Sequence, residues 1–556
     1  MRRYLWAVAA LLVATAALAV SACGDDDDEG GGGGGGGETG GSITVATTGL
    51  DNSDPVLFQT TQAVQAFQLA YIPLVTYAHE VGEDGSQIIP GLATEVPEPT
   101  NGGKTYTFKL RDGLVYSDGT PVKASDFENT IKRLLVLGSG WSFFYSPIIE
   151  GTEEFQKKGD MKGDISGIET NDDTGEIKVT LTEPDTKILF ALAEPYAAPT
   201  PTAKSPGKKL KNPPPGVGPY TLDIIDFNSK YVLKRNPQWS KMNIPGIPKG
   251  NFDTITGAVQ DNVTKMTQDV ISGKADFMTE DPTGDQLPEV RAKYKDRLLE
   301  EVNPPNTYYF FLNVTLPPFD KQEAREAVNY AIDSEALVRV FGGRLAPSCN
   351  FLPPDIAGYQ QNDCKYGNPS GKPDIAKAKQ LVKDSGYEGE KVTVWTNNKD
   401  PRPAIADYYR DVLNEIGFEA DIKTLDQQVY FEQIGRKATK AQTGFTDWFQ
   451  DYPHPGDFIE SLLSTRALSS EVTFNQGFVS DKHIDSELDD LRGKDPEATT
   501  DQWHELDNYV VNDKAYVVPY GGEKSTSFFS ERMDAQNCGG VHPVYKNDWL
   551  LFCKKG

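Results

Sequence analysis

The sequence predicts an α/β fold built from more than one lobe. Its 556 residues are too many for one hydrophobic core, and this length suggests two to four lobes of about 100 to 200 residues each. Apolar and polar residues alternate strictly over residues 105–111, which is the period of a half-buried strand. Later, a strand at 392–395, a helix at 404–416 ended by Gly417 and a strand at 420–424 form a βαβ unit. Its crossover should be right-handed, which places helices on the sheet faces and ligands beyond the carboxyl ends of the strands.

Shorter segments complete the expected order of elements. Residues 42–46 predict a strand, and residues 62–71 predict a short helix. The run Ser-Asp-Phe-Glu at 125–128 is typical of a capping box that opens a helix. The proline-rich residues 199–215 are expected to connect two lobes, and residues 516–520 are expected to be a strand that returns to the first lobe.

The composition is that of a soluble globular protein with an acidic balance. The formal net charge is -26. Nucleic acids and anionic membranes need clustered Lys and Arg, so the charge argues against both as binding surfaces. It says little about a small ligand.

The amino-terminal residues predict export. Arg2 and Arg3 precede an apolar run at 5–20, which is shorter than the roughly 20 residues of a membrane-spanning helix. We therefore expect a signal peptide at residues 1–22. Its end, Val-Ser-Ala-Cys, resembles the bacterial lipobox, which implies that Cys23 becomes the lipidated first residue; a plain secretory signal is the alternative. The acidic and glycine-rich residues 23–41 suit a flexible tether that holds the protein at the outer face of the cytoplasmic membrane, extracellular or periplasmic.

Four further cysteines form two pairs that are close in sequence. In an exported protein, local disulfides Cys349–Cys364 and Cys538–Cys553 are the simplest arrangement, although four cysteines permit three connectivities. The sequence has no Cys-x-x-Cys, and its five histidines are scattered, so neither a metal site nor a cofactor is expected.

Several motifs together resemble a known family. They are Gly-Leu-Ala-Thr-Glu at 91–95, the strand and turn at 104–113, Ser-Asp-Gly-Thr-Pro at 117–121, Gly-Val-Gly-Pro-Tyr at 216–220, the passage at 271–277 and Ala-Ile-Asp at 331–333. In this order they are similar to the extracellular solute-binding proteins of family 5, the peptide/nickel class, which serve ABC transporters. Most of these residues build lobes and do not form a site.

The resemblance implies a periplasmic-binding-protein type 2 fold, class C-like, with two main lobes joined by a hinge and an inserted third lobe. Lobe I would comprise residues 42–73, 195–305 and 516–556, lobe II the insert 74–194, and lobe III residues 306–515. A small molecule or peptide would be held between closing lobes and delivered to the permease subunits by a monomeric receptor.

The candidate binding segment is residues 446–458. It contains the aromatic residues Trp448, Phe449 and Tyr452 together with three carboxylates, and its two prolines argue against a regular helix or a central strand. Residues 448–452 resemble the family's Trp-x-x-Asp-Tyr segment, which implies that Asp451 takes the ligand's ammonium group while Trp448 and Tyr452 shape the pocket. The candidate ligand-binding residues are Trp448, Phe449, Gln450, Asp451, Tyr452, Tyr309, Tyr145 and Tyr520.

The sequence does not determine the chemical class of the ligand. His454 stands where peptide-binding members often have an acidic residue, and other members bind an oligosaccharide, an opine or a nickel complex. A sensor without transport would have the same sequence features. Tyr145 is either a cleft residue or a core residue.

A secreted hydrolase is the main rival from another class. It would need a nucleophile with a base, a metal, or paired catalytic carboxylates. The sequence has no Gly-x-Ser-x-Gly elbow, and His79-Glu80 lacks the second histidine of a zinc helix because position 83 is Glu83. We therefore predict a binding protein without enzymatic activity.

Overall fold

The computed structural model describes residues 40–556 apart from 186, 301–304, 355, 357, 368–371, 470, 495 and 525. The predicted signal peptide, Cys23 and nearly all of the predicted tether lie outside the described residues. Among the residues that are described, no helix has the length and apolar character needed to cross a membrane.

Strands and helices alternate along most of the described chain. The strands β1 to β20 are Ser42–Thr47, Val75–Tyr77, Ile88–Pro90, Thr105–Lys109, Ile168–Asn171, Glu176–Thr180, Tyr220–Asp226, Lys230–Arg235, Thr254–Val259, Phe277–Met278, Leu298–Glu300, Asn306–Leu312, Leu345–Ala346, Lys391–Asn397, Glu419–Leu425, Thr443–Phe449, Val517–Glu523, Thr526–Phe529, Val541–His542 and Lys546–Asn547. The helices α1 to α15 are Thr61–Phe67, Ala124–Val136, Thr152–Lys158, Ile188–Ala193, Val263–Ile271, Leu287–Lys293, Gln322–Ala331, Ser334–Val340, Ile375–Ser385, Arg402–Ile416, Gln427–Gly435, Gly456–Leu463, Lys482–Leu491, Thr500–Asn508 and Ala535–Cys538.

The first large sheet has seven strands in the order β11-β18-β10-β1-β9-β8-β7. Strand β1 lies in its middle and runs parallel to both β9 and β10. Its apolar residues Ile43 and Val45 are fully buried, as the alternating sequence requires. Because β1, β9 and β18 come from distant parts of the sequence, this sheet is assembled from several chain segments.

The second large sheet has six strands in the order β13-β17-β12-β16-β14-β15. The predicted βαβ unit is confirmed, since β14 and β15 are parallel and α10 connects them and packs on both. Helix α10 ends at Gly417, which has a φ of 114° and takes the left-handed conformation that favours glycine.

The placement of residues 516–520 differs from the sequence prediction. They do not return to the first sheet, because β17 pairs with β12 and β13 in the six-stranded sheet. The chain crosses back only at β18, which pairs with β10 and β11. A strand with this much buried apolar surface fits either sheet, so the sequence pattern alone does not decide its neighbours.

A third sheet of three strands, β4-β6-β5, carries the alternation seen at residues 105–111. Tyr106 and Phe108 are fully buried while Thr107 is exposed, which confirms the predicted half-buried strand. Helix α2 begins two residues earlier than the capping pattern predicts. Lys123 is its N-cap, and the Asp126 carboxylate accepts a hydrogen bond from the Lys123 backbone N–H at 3.0 Å.

Both predicted disulfides are present. Cys349 pairs with Cys364 and Cys538 with Cys553, with Cα–Cα distances of 5.4 and 5.7 Å that suit a disulfide. Each bridge closes a loop with a sequence separation of 15 residues. The second bridge ties α15 to the carboxyl-terminal segment.

Candidate functional site

A cavity of about 470 Å³ lies between the two large sheets. This volume falls in the range of about 300 to 1,000 Å³ that small-molecule sites occupy. Residues 279–281 follow β10 in the first sheet, and Asn397 ends β14 in the second; both line the cavity. The cavity therefore lies at the carboxyl ends of these strands, where open α/β sheets bind their ligands.

The candidate segment 446–458 reaches the cavity, but its conformation differs from the prediction. Residues up to Phe449 continue β16, a central strand between β12 and β14. The two prolines lie beyond the strand, and helix α12 begins at Gly456. The prediction of an irregular segment is therefore wrong for residues 446–449, because Pro453 and Pro455 restrict only the turn that they occupy.

Three of the eight candidate residues line the cavity: Trp448, Phe449 and Asp451. The Trp448 ring lies 4.9 Å from that of Phe474 and 6.3 Å from that of Trp141, measured between centroids. Both neighbours also line the cavity. Together Trp141, Trp448 and Phe474 form an aromatic wall that offers flat apolar surface to a ligand.

The structure does not bring Tyr145 or Tyr452 to the cavity wall. Tyr145 is fully buried, and its hydroxyl donates a hydrogen bond to the Ala191 carbonyl at 2.7 Å. It is a core residue. The Tyr452 ring stacks on Phe190 at 5.4 Å and packs edge-on against Phe144, on the far side of the candidate segment.

The other three candidates do not line the cavity either. Gln450 is 4% exposed, and Tyr520 packs on Phe310. Tyr309 faces Phe351, whereas its neighbour Tyr308 lines the cavity and donates a hydrogen bond to Glu523 at 2.6 Å. Side chains alternate between the faces of a strand, so only one of these two tyrosines can face the ligand.

One part of the cavity lining is acidic. Asp451 and Glu194 line it, and Asp457 lies directly behind, where its carboxylate accepts a hydrogen bond from the Asp451 backbone N–H at 2.8 Å. Each of the three carboxylates has a buried oxygen without a hydrogen-bond partner: Glu194 Oε1, Asp451 Oδ2 and Asp457 Oδ1. We call Glu194, Asp451 and Asp457 the acidic pocket.

Burial raises the pKa of all three carboxyl groups. It raises the pKa of Asp451 to about 7. Burial, and then the nearby charge of Asp451, raise the pKa values of Glu194 and Asp457 well above their usual range. A buried carboxyl without a cationic partner favours its neutral form, so the empty acidic pocket favours bound protons.

Glu194 was missed by the sequence analysis. It follows helix α4, whose residues Ile188–Ala193 are apolar, and it precedes Pro195. An acidic residue that is 3% exposed at the end of an apolar run is a signal of function, but the sequence alone does not show that burial.

Each cationic side chain that lines the cavity already has a carboxylate nearby. The carboxyl groups of the acidic pocket, in contrast, have no cationic partner among the described residues. The pairs are Lys399 with Glu280 at 2.5 Å, Arg344 with Glu523 at 2.5 Å, Arg402 with Asp447 at 2.8 Å, Lys546 with Asp281 at 3.4 Å and Arg339 with Asp333 at 4.0 Å. Burial raises the pKa of Glu280, but Lys399 and Lys546 outweigh that effect and lower it below its usual value. Among the described residues, none of these cationic side chains forms an ion pair with a carboxyl of the acidic pocket.

Amide side chains complete the polar lining. Both amide atoms of Gln65, Nδ2 of Asn397, and the Oε1 atoms of Gln427 and Gln476 are buried without a hydrogen-bond partner. Buried polar atoms in native proteins are usually paired. A ligand with its own amide N–H and C=O groups would satisfy them.

Comparisons with known proteins agree that the chain is similar to bacterial solute-binding proteins. The model of the bacterial extracellular solute-binding proteins, family 5, matches residues 87–470. The glutathione-binding protein GsiB of Escherichia coli strain K12 is 27% identical over 467 residues, which cover 81% of this chain and 84% of GsiB.

Solved structures share the fold over most of the chain. Haemophilus influenzae OppA in complex with the peptide RPPGFSPFR gives a TM-score of 0.78 at 19% identity and covers 92% of this chain and 98% of OppA. Helicobacter pylori DppA in complex with the peptide STSA gives 0.76 at 21% identity and covers 93% and 99%. These likenesses show an α/β fold with two main lobes and mixed sheets.

Proposed function

The chain belongs to the bacterial extracellular solute-binding proteins of family 5, and on this premise we propose that it captures a peptide-like solute with a free ammonium group and delivers it to an ABC importer. The observation that carries the proposal is Asp451, which lines the cavity without a cationic partner. An ammonium group supplies the missing charge and the missing hydrogen bonds at once.

The rest of the cavity suits a short peptide. The unpartnered amides of Gln65, Asn397, Gln427 and Gln476 offer donors and acceptors to backbone amide groups. The aromatic wall provides a sequence-tolerant surface for side chains. The named ligands of GsiB, OppA and DppA, which are glutathione and peptides, support this ligand class.

Capture is proposed to close the two large sheets around the ligand. Lys399, which follows β14, forms an ion pair at 2.5 Å with Glu280, which follows β10. On the other side the Tyr77 hydroxyl donates a hydrogen bond to the Asp451 carbonyl at 2.8 Å. A ligand that favours this arrangement shifts the equilibrium towards it, and the permease would recognise the closed form.

The remaining assignments rest on the sequence. We propose lobes I, II and III with the boundaries given above, except that β17 belongs to lobe III. A lipid anchor at Cys23 and the tether at 23–41 would hold a monomeric receptor close to its permease.

Isothermal titration calorimetry with Ala-Ala-Ala tests the proposal. We expect Asp451→Ala to lower the affinity by about 2 to 4 kcal/mol, because it removes the ion pair with the ammonium group. N-acetyl-Ala-Ala-Ala, which lacks that group, should bind the native protein and the variant equally weakly. Unchanged affinity of Ala-Ala-Ala for the variant would refute the role of Asp451.

An oligosaccharide is the second candidate, because the aromatic wall also suits stacking on sugar rings. A sugar carries no ammonium group. Binding of an oligosaccharide with equal affinity by the native protein and by Asp451→Asn, without binding of any peptide, would favour that alternative.

A further inference from the structure

The acidic pocket contains more carboxyl groups than one ammonium group can pair with. Asp451 and Glu194 both line the cavity, and Asp457 lies against the Asp451 backbone. Glu194 is only 3% exposed, and its Oε1 has no hydrogen-bond partner. A buried carboxylate of this kind is expensive unless something pairs with it.

Among the described residues, no Lys, Arg or His side chain forms an ion pair with Glu194. The charge that acts on the Glu194 carboxyl is that of Asp451, which is another carboxyl. Glu194 in turn helps to raise the pKa values of the neighbouring phenols Tyr77, Tyr145, Tyr196 and Tyr545. The Tyr196 hydroxyl is itself buried without a hydrogen-bond partner. The pocket therefore has unfilled hydrogen-bonding capacity in addition to unbalanced charge.

Three cationic side chains form ion pairs with carboxylates outside the acidic pocket. Lys187 forms an ion pair at 2.6 Å with Glu460, and Arg466 pairs with the same carboxylate at 2.7 Å. Lys399, which lines the cavity, pairs with Glu280. A second positive charge for the acidic pocket has to arrive with the ligand or as a proton.

We propose that Glu194 is a second cation-binding carboxylate, so that the cavity selects ligands with two positive charges at their leading end. Asp451 takes the α-ammonium group, and Glu194 takes the basic side chain of the first residue, as in a peptide that begins with Lys or ornithine. The inference rests on the proposed binding of an ammonium-bearing ligand and adds its charge requirement.

Three tripeptides test the two positive charges separately. Lys-Ala-Ala carries both charges. Norleucine-Ala-Ala has an uncharged side chain of similar length and carries only the α-ammonium group, and N-acetyl-Lys-Ala-Ala carries only the side-chain charge. Calorimetry at pH 7.5 would compare them with the native protein, Glu194→Gln and Glu154→Gln. Glu154 is an exposed carboxylate in helix α3, outside the cavity, and serves as the matched control for net charge.

We expect the native protein and Glu154→Gln to bind Lys-Ala-Ala at least tenfold more tightly than norleucine-Ala-Ala. We expect Glu194→Gln to lose this preference but still to bind norleucine-Ala-Ala. Equal affinity of the native protein for these two peptides would overturn the inference and leave the proposed function standing, with a proton as the second neutralising charge. A preference that survives in Glu194→Gln would also overturn it. Failure of all three peptides to bind, with native thermal unfolding, would instead refute the proposed function.

Discussion

The charge of Asp451 should destabilise the empty protein, and its removal provides a sharp test of the acidic pocket. Burial raises the pKa of this carboxyl from 3.8 to about 7. The shift is about three pKa units, and each unit corresponds to about 1.4 kcal/mol. Because Asp451 is partly exposed, screening reduces the effect, and we expect about 2 to 4 kcal/mol at a pH above 8.

The sign follows from the direction of the shift. A carboxyl whose pKa is higher in the folded state than in the unfolded state favours folding in its protonated form. Its ionisation therefore destabilises the native state progressively as the pH rises from about 4 to about 7, which is the reverse of the usual behaviour of a paired carboxylate. Asn keeps the shape of the side chain and removes the titration.

Urea unfolding of ligand-free protein at pH 4.5 and pH 8.5 measures the difference. We expect the native protein and Asp451→Asn to unfold at similar urea concentrations at pH 4.5, and the variant to be more stable by about 2 to 4 kcal/mol at pH 8.5. Saturating ligand should reverse the order at pH 8.5, because only the native protein gains the ion pair. Equal stability of the two ligand-free proteins at pH 8.5 would refute the argument that Asp451 is buried without a partner.

Two further predictions concern ion pairs that connect distant segments. Lys399→Met should weaken ligand binding by about 2 kcal/mol or more, because closure would leave Glu280 buried without its ion-pair partner and with only Lys546 as a nearby cation. Calorimetry measures the loss, and the double variant that also carries Glu280→Gln should recover part of it. Arg133 is fully buried and lies 2.6 Å from the Asp54 carboxylate. Asp54→Ala should lower the free energy of unfolding by about 3 to 5 kcal/mol, because Arg133 would lose its counter-charge. An unchanged urea midpoint would contradict this prediction.

Local patterns were sufficient for the elements and their class. The alternation at residues 105–111 predicted a strand whose Tyr106 and Phe108 are buried. The βαβ unit was predictable because the spacing of apolar residues differs between its strands and its helix, and because Gly417 marks the end of that helix. The two disulfides were predictable because each pair is close in sequence.

Sequence patterns did not predict which strands pair with each other or which face of a strand lines the cavity, because both depend on neighbours in space. The strand β17 has a buried, apolar sequence that either sheet would accept, and only its pairing with β12 assigns it. The period of a strand shows that Tyr308 and Tyr309 face opposite ways, but it does not show which way the cavity lies. The sequence analysis selected Tyr309, whereas Tyr308 lines the cavity.

The sequence by itself determined the α/β class, the family resemblance and the candidate Asp451, because these depend on local spacing and on motifs in a fixed order. Only the tertiary structure decided what surrounds Asp451. It brings Glu194 from a distant segment to the same buried end of the cavity and pairs the cationic residues of the lining elsewhere. Burial and the absence of a counter-charge among the described residues depend on contacts between residues that are far apart in sequence. Those contacts raise the pKa of Asp451 and support its proposed role in ligand binding.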